Sequence, residues 1–171
     1  MALLFLISNK ATAQKNLVLN NSFEDDADGW INYGGTITPY DFKDGKKSCA
    51  IVAYNTEKWV GLHQIIGIPK KAQAFEFSGW LKTINVIKGL DDWSGGIFNV
   101  EFLDRNDKKL GESVSIARIT GDQEWQLVKT NVRIPAGAVS FKILIALGYA
   151  SGTLFVDDVS AKVISPDAVG N

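Results

Sequence analysis

The sequence predicts an all-β protein built as an antiparallel β-sandwich or jelly roll, and three observations lead to this fold class. Apolar and polar residues alternate along several short runs, most clearly over residues 139–147. Clusters of Gly, Asn, Asp and Pro separate these runs, as at 104–108 and 134–138. No stretch shows a sustained helical period with caps, so crossover helices and a parallel α/β fold are not expected.

The individual strands follow from the same alternation. In the run 75–82, Phe75, Phe77, Gly79 and Leu81 lie on one face, with Trp80 among the residues on the opposite face. In the run 98–102 the apolar residues share one side, and Asn99 and Glu101 share the polar side. A strand with one apolar and one polar face is typical of a half-buried antiparallel sheet.

Length and charge limit the class of partner. At 171 residues the chain is expected to form one domain, and 46% hydrophobic residues are enough for a core. The 18 Lys and Arg residues against 19 Asp and Glu residues give a net charge of -1. Without a basic excess, binding to nucleic acid or to an anionic membrane surface is not expected.

The N-terminal residues are predicted to be a targeting segment. The apolar run 2–7 is followed by Ala11-Thr12-Ala13-Gln14, which is typical of a signal peptide cleaved after Ala13, although a basic leading region is missing. An ordinary first strand is the alternative, and the run is too short to insert across a bilayer. We therefore expect residues 1–14 to be a signal peptide remnant, 15–164 the sandwich and 165–171 a flexible tail of a secreted, periplasmic or cell-surface protein.

The single cysteine, Cys49, excludes a disulfide within the chain. It lies in the strand-like run 48–52. A free cysteine in such a run is more often a small buried hydrophobe than a reactive thiol, and burial is the prediction here.

Short motifs along nearly the whole chain resemble one family. They are Asn16-Leu17-Val18 with Ser22-Phe23-Glu24, Gly29-Trp30, Asp44-Gly45-Lys46-Lys47-Ser48, Phe77-Ser78-Gly79-Trp80-Leu81-Lys82, Glu124-Trp125 and Phe155-Val156-Asp157-Asp158-Val159. In order and spacing, residues 16–163 are similar to carbohydrate-binding modules of the family 4/9/22 type, the galactose-binding-like jelly rolls attached to many secreted glycoside hydrolases. The resemblance implies a module that binds a polysaccharide or oligosaccharide, and we expect the protein to be a monomer. The connection 84–96 is longer than the family's usual one.

Aromatic residues are the candidate sugar platforms, because their faces stack on the C–H face of a sugar ring. Trp30 and Trp125 match framework positions of the family. Trp59 at the start of a strand and Trp93 in a Gly-flanked loop are the best platforms, with Trp80 open between a binding and a packing role. The remaining candidate ligand residues, which follow a strand or offer polar atoms for sugar hydroxyls, are Tyr149, Gln64, Asn99 and Glu101. A solvated sheet face is the alternative for Asn99 and Glu101, and a backbone partner inside the sandwich is the alternative for Gln64.

The resemblance also implies a structural calcium ion between the first and last strands. Calcium prefers carboxylate and carbonyl oxygens. The matching residues are the side chains of Glu24 and Asp157, with Asp158 as the runner-up, and the carbonyl groups near Lys46 and Ser48. The alternative is that these acids cap turns or face solvent.

Catalytic signatures are weak in this sequence. His63 is the single histidine, and no Gly-x-Ser-x-Gly elbow surrounds a serine. A glycosidase needs two carboxylates across a cleft, and no pair among the 19 acids is singled out by its position. The expected function is therefore non-catalytic carbohydrate binding. The alternatives are a protein-interaction or adhesion sandwich and, less favoured, a small glycan-degrading enzyme.

Overall fold

The computed structural model describes residues 14–170, within which the chain forms ten β-strands and one short 3-10 helix. The strands are β1 Ile31–Tyr33, β2 Gly35–Thr38, β3 Ser48–Ala53, β4 Trp59–Gly67, β5 Ala74–Lys88, β6 Gly95–Leu103, β7 Val114–Ile119, β8 Gly121–Arg133, β9 Ser140–Gly148 and β10 Ala150–Ile164. The predicted apolar targeting run 2–7 lies outside the described residues.

Two five-stranded sheets form a sandwich. Sheet A has the order β1-β4-β9-β6-β7, and sheet B has the order β2-β3-β10-β5-β8. Every ladder between these strands is antiparallel. The predicted all-β antiparallel sandwich is confirmed.

The core lies between the sheets and is rich in phenylalanine. Phe141 of β9 contacts Phe75 and Phe77 of β5 with ring centroids 4.9 and 5.2 Å apart, so aromatic side chains join the two sheets. Cys49 is fully buried in the same core, and burial raises the pKa of its thiol to about 12. The predicted burial of Cys49 is confirmed, and a raised pKa disfavours the reactive thiolate.

The N-terminal segment closes one edge of the sandwich. The backbone N–H of Leu17 donates to the carbonyl of Ala161 at 3.0 Å. Gln64, which is buried inside the sandwich, accepts from the N–H of Leu19 at 2.9 Å and donates to its carbonyl at 3.1 Å. The amide of Gln64 therefore holds this segment as a neighbouring strand would.

The predicted C-terminal tail contains a short element. Pro166–Ala168 form a 3-10 helix, and the flexibility expected for residues 165–171 stays a prediction. Ser165 caps it by accepting from the N–H of Asp167, and proline stands at its start, where a missing N–H is tolerated. Asn131 of β8 donates to the carbonyl of Ala168 at 2.9 Å and fixes the turn against sheet B.

Within residues 14–170, no helix is long and apolar enough to cross a membrane.

Candidate functional site

The outer face of sheet A is the candidate site. On β4, Val60, Leu62 and Gln64 point into the core, so Trp59 and His63 point outward. The strand register aligns the outward residues in four rows across the sheet. They are Trp59 with Gly148 and Gly95; Tyr33 with Gly61, Ala146, Ile97 and Arg118; Ile31 with His63, Leu144 and Asn99; and Ile65 with Lys142 and Glu101.

Three exposed aromatic side chains meet at the first row. The rings of Trp59 and Trp93 are nearly parallel, with an interplanar angle of 20° and centroids 5.9 Å apart. The ring of Tyr149 stands edge-on to both, with centroids 6.3 Å from Trp59 and 5.5 Å from Trp93. Their exposed fractions are 36% for Trp59, 46% for Trp93 and 38% for Tyr149. We call these residues the aromatic cluster.

Local sequence explains how the cluster is supported. A Cβ added to Gly148 would lie 3.3 Å from the ring of Trp59, so the absence of a side chain lets the indole lie against the sheet. Tyr149 forms the tight turn between β9 and β10 with a left-handed φ of 46°. This turn places its ring beside Trp59.

The loop that carries Trp93 is held at both ends. The N–H of Gly89 donates to the carbonyl of Tyr149 at 2.9 Å, and a Cβ at Gly89 would lie 2.5 Å from that oxygen. The guanidinium of Arg118 donates to the carbonyl of Asp92. The segment 84–96, expected to be one long connection, is strand as far as Lys88, so only six residues, 89–94, separate β5 from β6.

Polar groups lie at the other end of the face. Lys142 forms an ion pair with Glu101, and Ser113 donates to the same carboxylate at 3.1 Å. Burial opposes ionisation of Glu101, but the hydrogen bond and charge of Lys142 prevail and lower its pKa. Burial and the charge of Lys142 lower the pKa of His63, whose ring stacks on Tyr33 with centroids 5.6 Å apart. Near neutral pH, His63 therefore offers one donor and one acceptor.

Five of the seven predicted ligand residues share this face or its rim. They are Trp59, Trp93, Tyr149, Asn99 and Glu101. Gln64 does not join them, because it points into the core and its amide binds Leu19. Trp80 does not join them either, because it faces outward from sheet B, where Lys43 lies 4.2 Å from its ring centroid.

Sequence reasoning missed four polar or aromatic members of the face, one of which is His63, considered above only for catalysis. Lys142, Arg118 and Tyr33 reach it through the pairing of distant strands. The alternation within β9 places Lys142 on the face opposite the apolar residues of that strand, and this pattern could have identified it as an outward residue. Arg118 follows a bulge between β6 and β7, which no local pattern indicates.

The predicted calcium ligands are engaged by the backbone and by a lysine. An oxygen of Glu24 accepts from the N–H groups of Lys46 at 2.8 Å and Lys47 at 3.0 Å. The ammonium of Lys47 donates to the carbonyl of Glu24 and to a carboxylate oxygen of Asp26, both at 2.9 Å. A positive group therefore already occupies this corner.

Asp157 is engaged in the same way. One of its oxygens accepts from the N–H groups of Lys43 at 2.8 Å and Asp44 at 3.0 Å, and the other from that of Asp158 at 2.7 Å. Ser48 donates its hydroxyl to the carbonyl of Asp41. In the described part of the chain, no group of three or more His, Cys, Asp or Glu residues is placed to hold a metal ion. As arranged, these residues do not fit calcium, which takes roughly six to eight oxygens.

Similar proteins are found by comparing structures and not by comparing sequences. The sequence matches no protein-family model, and no curated protein matches it. The structure is similar to the CBM22-1 xylan-binding domain of Paenibacillus barcinonensis Xyn10C, with a TM-score of 0.63 and 21% identity over 91% of this chain and 98% of that chain. TmCBM61 in complex with β-1,4-galactotriose gives a TM-score of 0.57 at 17% identity over 88% of this chain and 99% of that chain.

One similar structure is described as enzymatically active. It is the enzymatically active domain of tailspike protein 4 from bacteriophage CBA120, with a TM-score of 0.73 and 16% identity over 87% of this chain. The match covers only 21% of the tailspike chain. Several other similar structures, from families 16, 22 and 61, are carbohydrate-binding modules. The chain therefore has the jelly-roll fold of carbohydrate-binding modules.

Proposed function

We propose that this protein is a non-catalytic carbohydrate-binding module that holds a polysaccharide against the outer face of sheet A. The observation that carries the proposal is the aromatic cluster of Trp59, Trp93 and Tyr149, exposed at one end of a face whose other end is polar. A scattered arrangement of these aromatic residues would have argued against a sugar site.

The aromatic cluster and the polar residues of the rows that contain His63 and Lys142 suit different parts of a sugar. The exposed indole surfaces of Trp59 and Trp93 offer apolar area for the C–H face of a pyranose ring. His63, Asn99 and the Glu101–Lys142 pair offer fixed donors and acceptors for ring hydroxyls. A chain of sugar units lying along the face would meet first one surface and then the other.

The similar structures support a neutral β-linked polysaccharide as the ligand class. One is a xylan-binding domain, and another is solved with β-1,4-galactotriose. A ligand of hydroxyl groups suits a face whose Glu101 carboxylate is already paired with Lys142. In this proposal the protein is exported from the cell and acts beside a glycoside hydrolase or at a cell surface. One similar structure has its CBM22-1 module joined to the GH10 module of an endo-1,4-β-D-xylanase, which supports the role beside a glycoside hydrolase.

Glycan degradation is the alternative raised by the tailspike similarity. Hydrolysis by the usual route needs two carboxylates flanking the bond. In the four rows of residues described on the outer face of sheet A, Glu101 is the only acidic residue, and it forms an ion pair with Lys142. We therefore expect no new reducing ends when the protein is incubated with a polysaccharide that it binds.

The test is a binding screen of residues 15–171 against xylan, galactan, β-glucan and mannan. Affinity gel electrophoresis and tryptophan fluorescence report binding. We expect retardation by at least one polymer and a loss of about tenfold or more in affinity for Trp59→Ala, as for an aromatic residue at the centre of a binding surface.

Tyr40→Ala is the matched control, because Tyr40 is an aromatic residue that is 92% exposed and lies outside the rows of sheet A. Its affinity should equal that of the wild type. If the folded protein binds none of the polymers, the proposal is refuted and protein interaction becomes the better explanation. If Trp59→Ala binds a polymer as well as Tyr40→Ala does, the outer face of sheet A is refuted as the binding site.

A further inference from the structure

The outer face of sheet B carries a polar cavity that the proposed function does not use. Its volume is about 400 Å³. The residues lining it include Trp80, Ser78, Ser160, Asp158, Leu127 and Lys129. Because it opens on the sheet opposite the aromatic cluster, a ligand on sheet A does not reach it.

The register of sheet B brings these residues together. Ser160 of β10 lies opposite Ser78 of β5, which lies opposite Lys129 of β8. A register shift between Asp157 and Ser160 marks a bulge, in which Asp158 adopts a left-handed φ of 45°. The carboxylate of Asp158 accepts from the side-chain amide of Asn21 at 2.8 Å, so this strained residue is held on the cavity wall.

The hydroxyl of Ser160 lacks a hydrogen-bond partner among residues 14–170. The residue is only 6% exposed, although it lines the cavity. A buried hydroxyl without a partner destabilises the fold, and most such groups in proteins are paired. The hydroxyl oxygen is itself buried in this side-chain rotamer, so a ligand in the cavity would supply the missing hydrogen bond only after the short side chain rotates.

An apolar surface lies beside the polar wall. Trp80 pairs across the strands with Leu127, which is 50% exposed. The ammonium of Lys43 lies 4.2 Å from the ring centroid of Trp80 and fixes the indole on one side. Trp80 therefore enters the cavity as an ordered aromatic side chain, which is the type that stacks on a sugar ring.

The charges around the cavity favour an uncharged ligand. Glu76 and Asp158 contribute negative charge, and Lys129 and Lys162 contribute positive charge. Glu76 lies 3.5 Å from Lys129, and Asp158 is hydrogen-bonded to Asn21. Since neither sign is in excess, the wall suits hydroxyl groups better than a phosphate or a carboxylate. From the aromatic side chain, the mixed polar wall and the unpartnered hydroxyl, we infer that this cavity is a second saccharide-binding site.

The test locates binding by backbone amide NMR shifts, with xylohexaose and β-1,4-galactotriose as probes. A Trp59→Ala/Trp93→Ala double variant removes the aromatic cluster on sheet A. In it, we expect saturable shifts at Ser78, Trp80 and Ser160 with at least one probe. Shifts confined to sheet A in the wild type, or no shifts in the double variant, would overturn the second site and leave the proposed function standing. Shifts confined to sheet B would support the second site and refute the proposed function, and no shifts in either protein would refute both.

Two single variants separate binding from folding. Trp80→Ala should lose the sheet B shifts and keep those on sheet A. Ser160→Ala removes a hydroxyl that has no partner, so its stability should equal or exceed that of the wild type. Its affinity at sheet B should nevertheless fall by about two- to tenfold, the effect of one hydrogen bond. Unchanged sheet B affinity in both variants would contradict the inference.

Discussion

At the scale of single residues, the outer face of sheet A combines a fixed charge pair with a neutral imidazole. His63 lies beside the Glu101–Lys142 pair and stacks on Tyr33. Lowering of its pKa by burial and by Lys142 outweighs the opposite effect of Glu101. His63 is therefore a neutral hydrogen-bonding group near neutral pH, and it becomes charged only at a pH below the ordinary histidine pKa.

This lowered pKa predicts a pH dependence of stability. In the unfolded chain, His63 has the ordinary histidine pKa of 6.5, and in the folded protein its pKa is lower. As the pH falls through the window between these two values, the unfolded state binds the proton first, so the free energy of unfolding decreases. Below the folded pKa, this contribution stays constant at its lower level.

The measurement is an NMR titration of the imidazole, whose signal is unique because the chain has one histidine. Urea unfolding at pH 7.5 and pH 5 provides the comparison of stabilities. We expect a pKa below 6.5 in the folded protein, and His63→Gln should show a smaller loss of stability between the two pH values than the wild type. A pKa above 6.5 would show that Glu101, and not burial, controls this residue.

At the scale of elements, two carboxylates hold the turn before β3 by accepting hydrogen bonds from its backbone. Glu24 accepts from the backbone of Lys46 and Lys47, and Asp157 accepts from that of Lys43 and Asp44. Gly45 has a φ of 66°, and a Cβ there would lie 2.3 Å from the carboxylate of Glu24. Glycine is therefore needed both for the backbone conformation and for the close approach of the acid.

The same turn yields a prediction about metal removal. Because the ammonium of Lys47 binds the carbonyl of Glu24 and the carboxylate of Asp26, EDTA should leave the melting temperature unchanged. Lys47→Met should lower it by a few degrees, since it leaves the carbonyl without its donor. Lys46→Met is the matched control, because Lys46 contributes its backbone N–H and its side chain is exposed. A fall in melting temperature with EDTA would instead establish the calcium ion that the family resemblance implies.

At the scale of the whole molecule, the sequence predicted which face of a strand a residue occupies better than which sheet the strand joins. Asn99 and Glu101 were placed together correctly, because alternation is a local property. Trp80 was assigned to an outer face, but its sheet depends on the pairing of β5 with β8 and β10, far along the chain. For Gln64 both faces of β4 are largely apolar, so the periodicity could not decide that its amide points inward.

The two outer faces point away from each other, since the sandwich core lies between them. If both bind saccharide, one short chain cannot occupy them together, and the protein joins separate polysaccharide chains. Mixing the protein with a soluble polymer that it binds should therefore raise light scattering at intermediate ratios and lower it again in protein excess, as for any bivalent linker. Trp59→Ala and Trp80→Ala should each abolish the rise, and Trp80→Ala should still be retarded in an affinity gel. A wild-type protein that binds the polymer without any rise in scattering would show that a single face is in use.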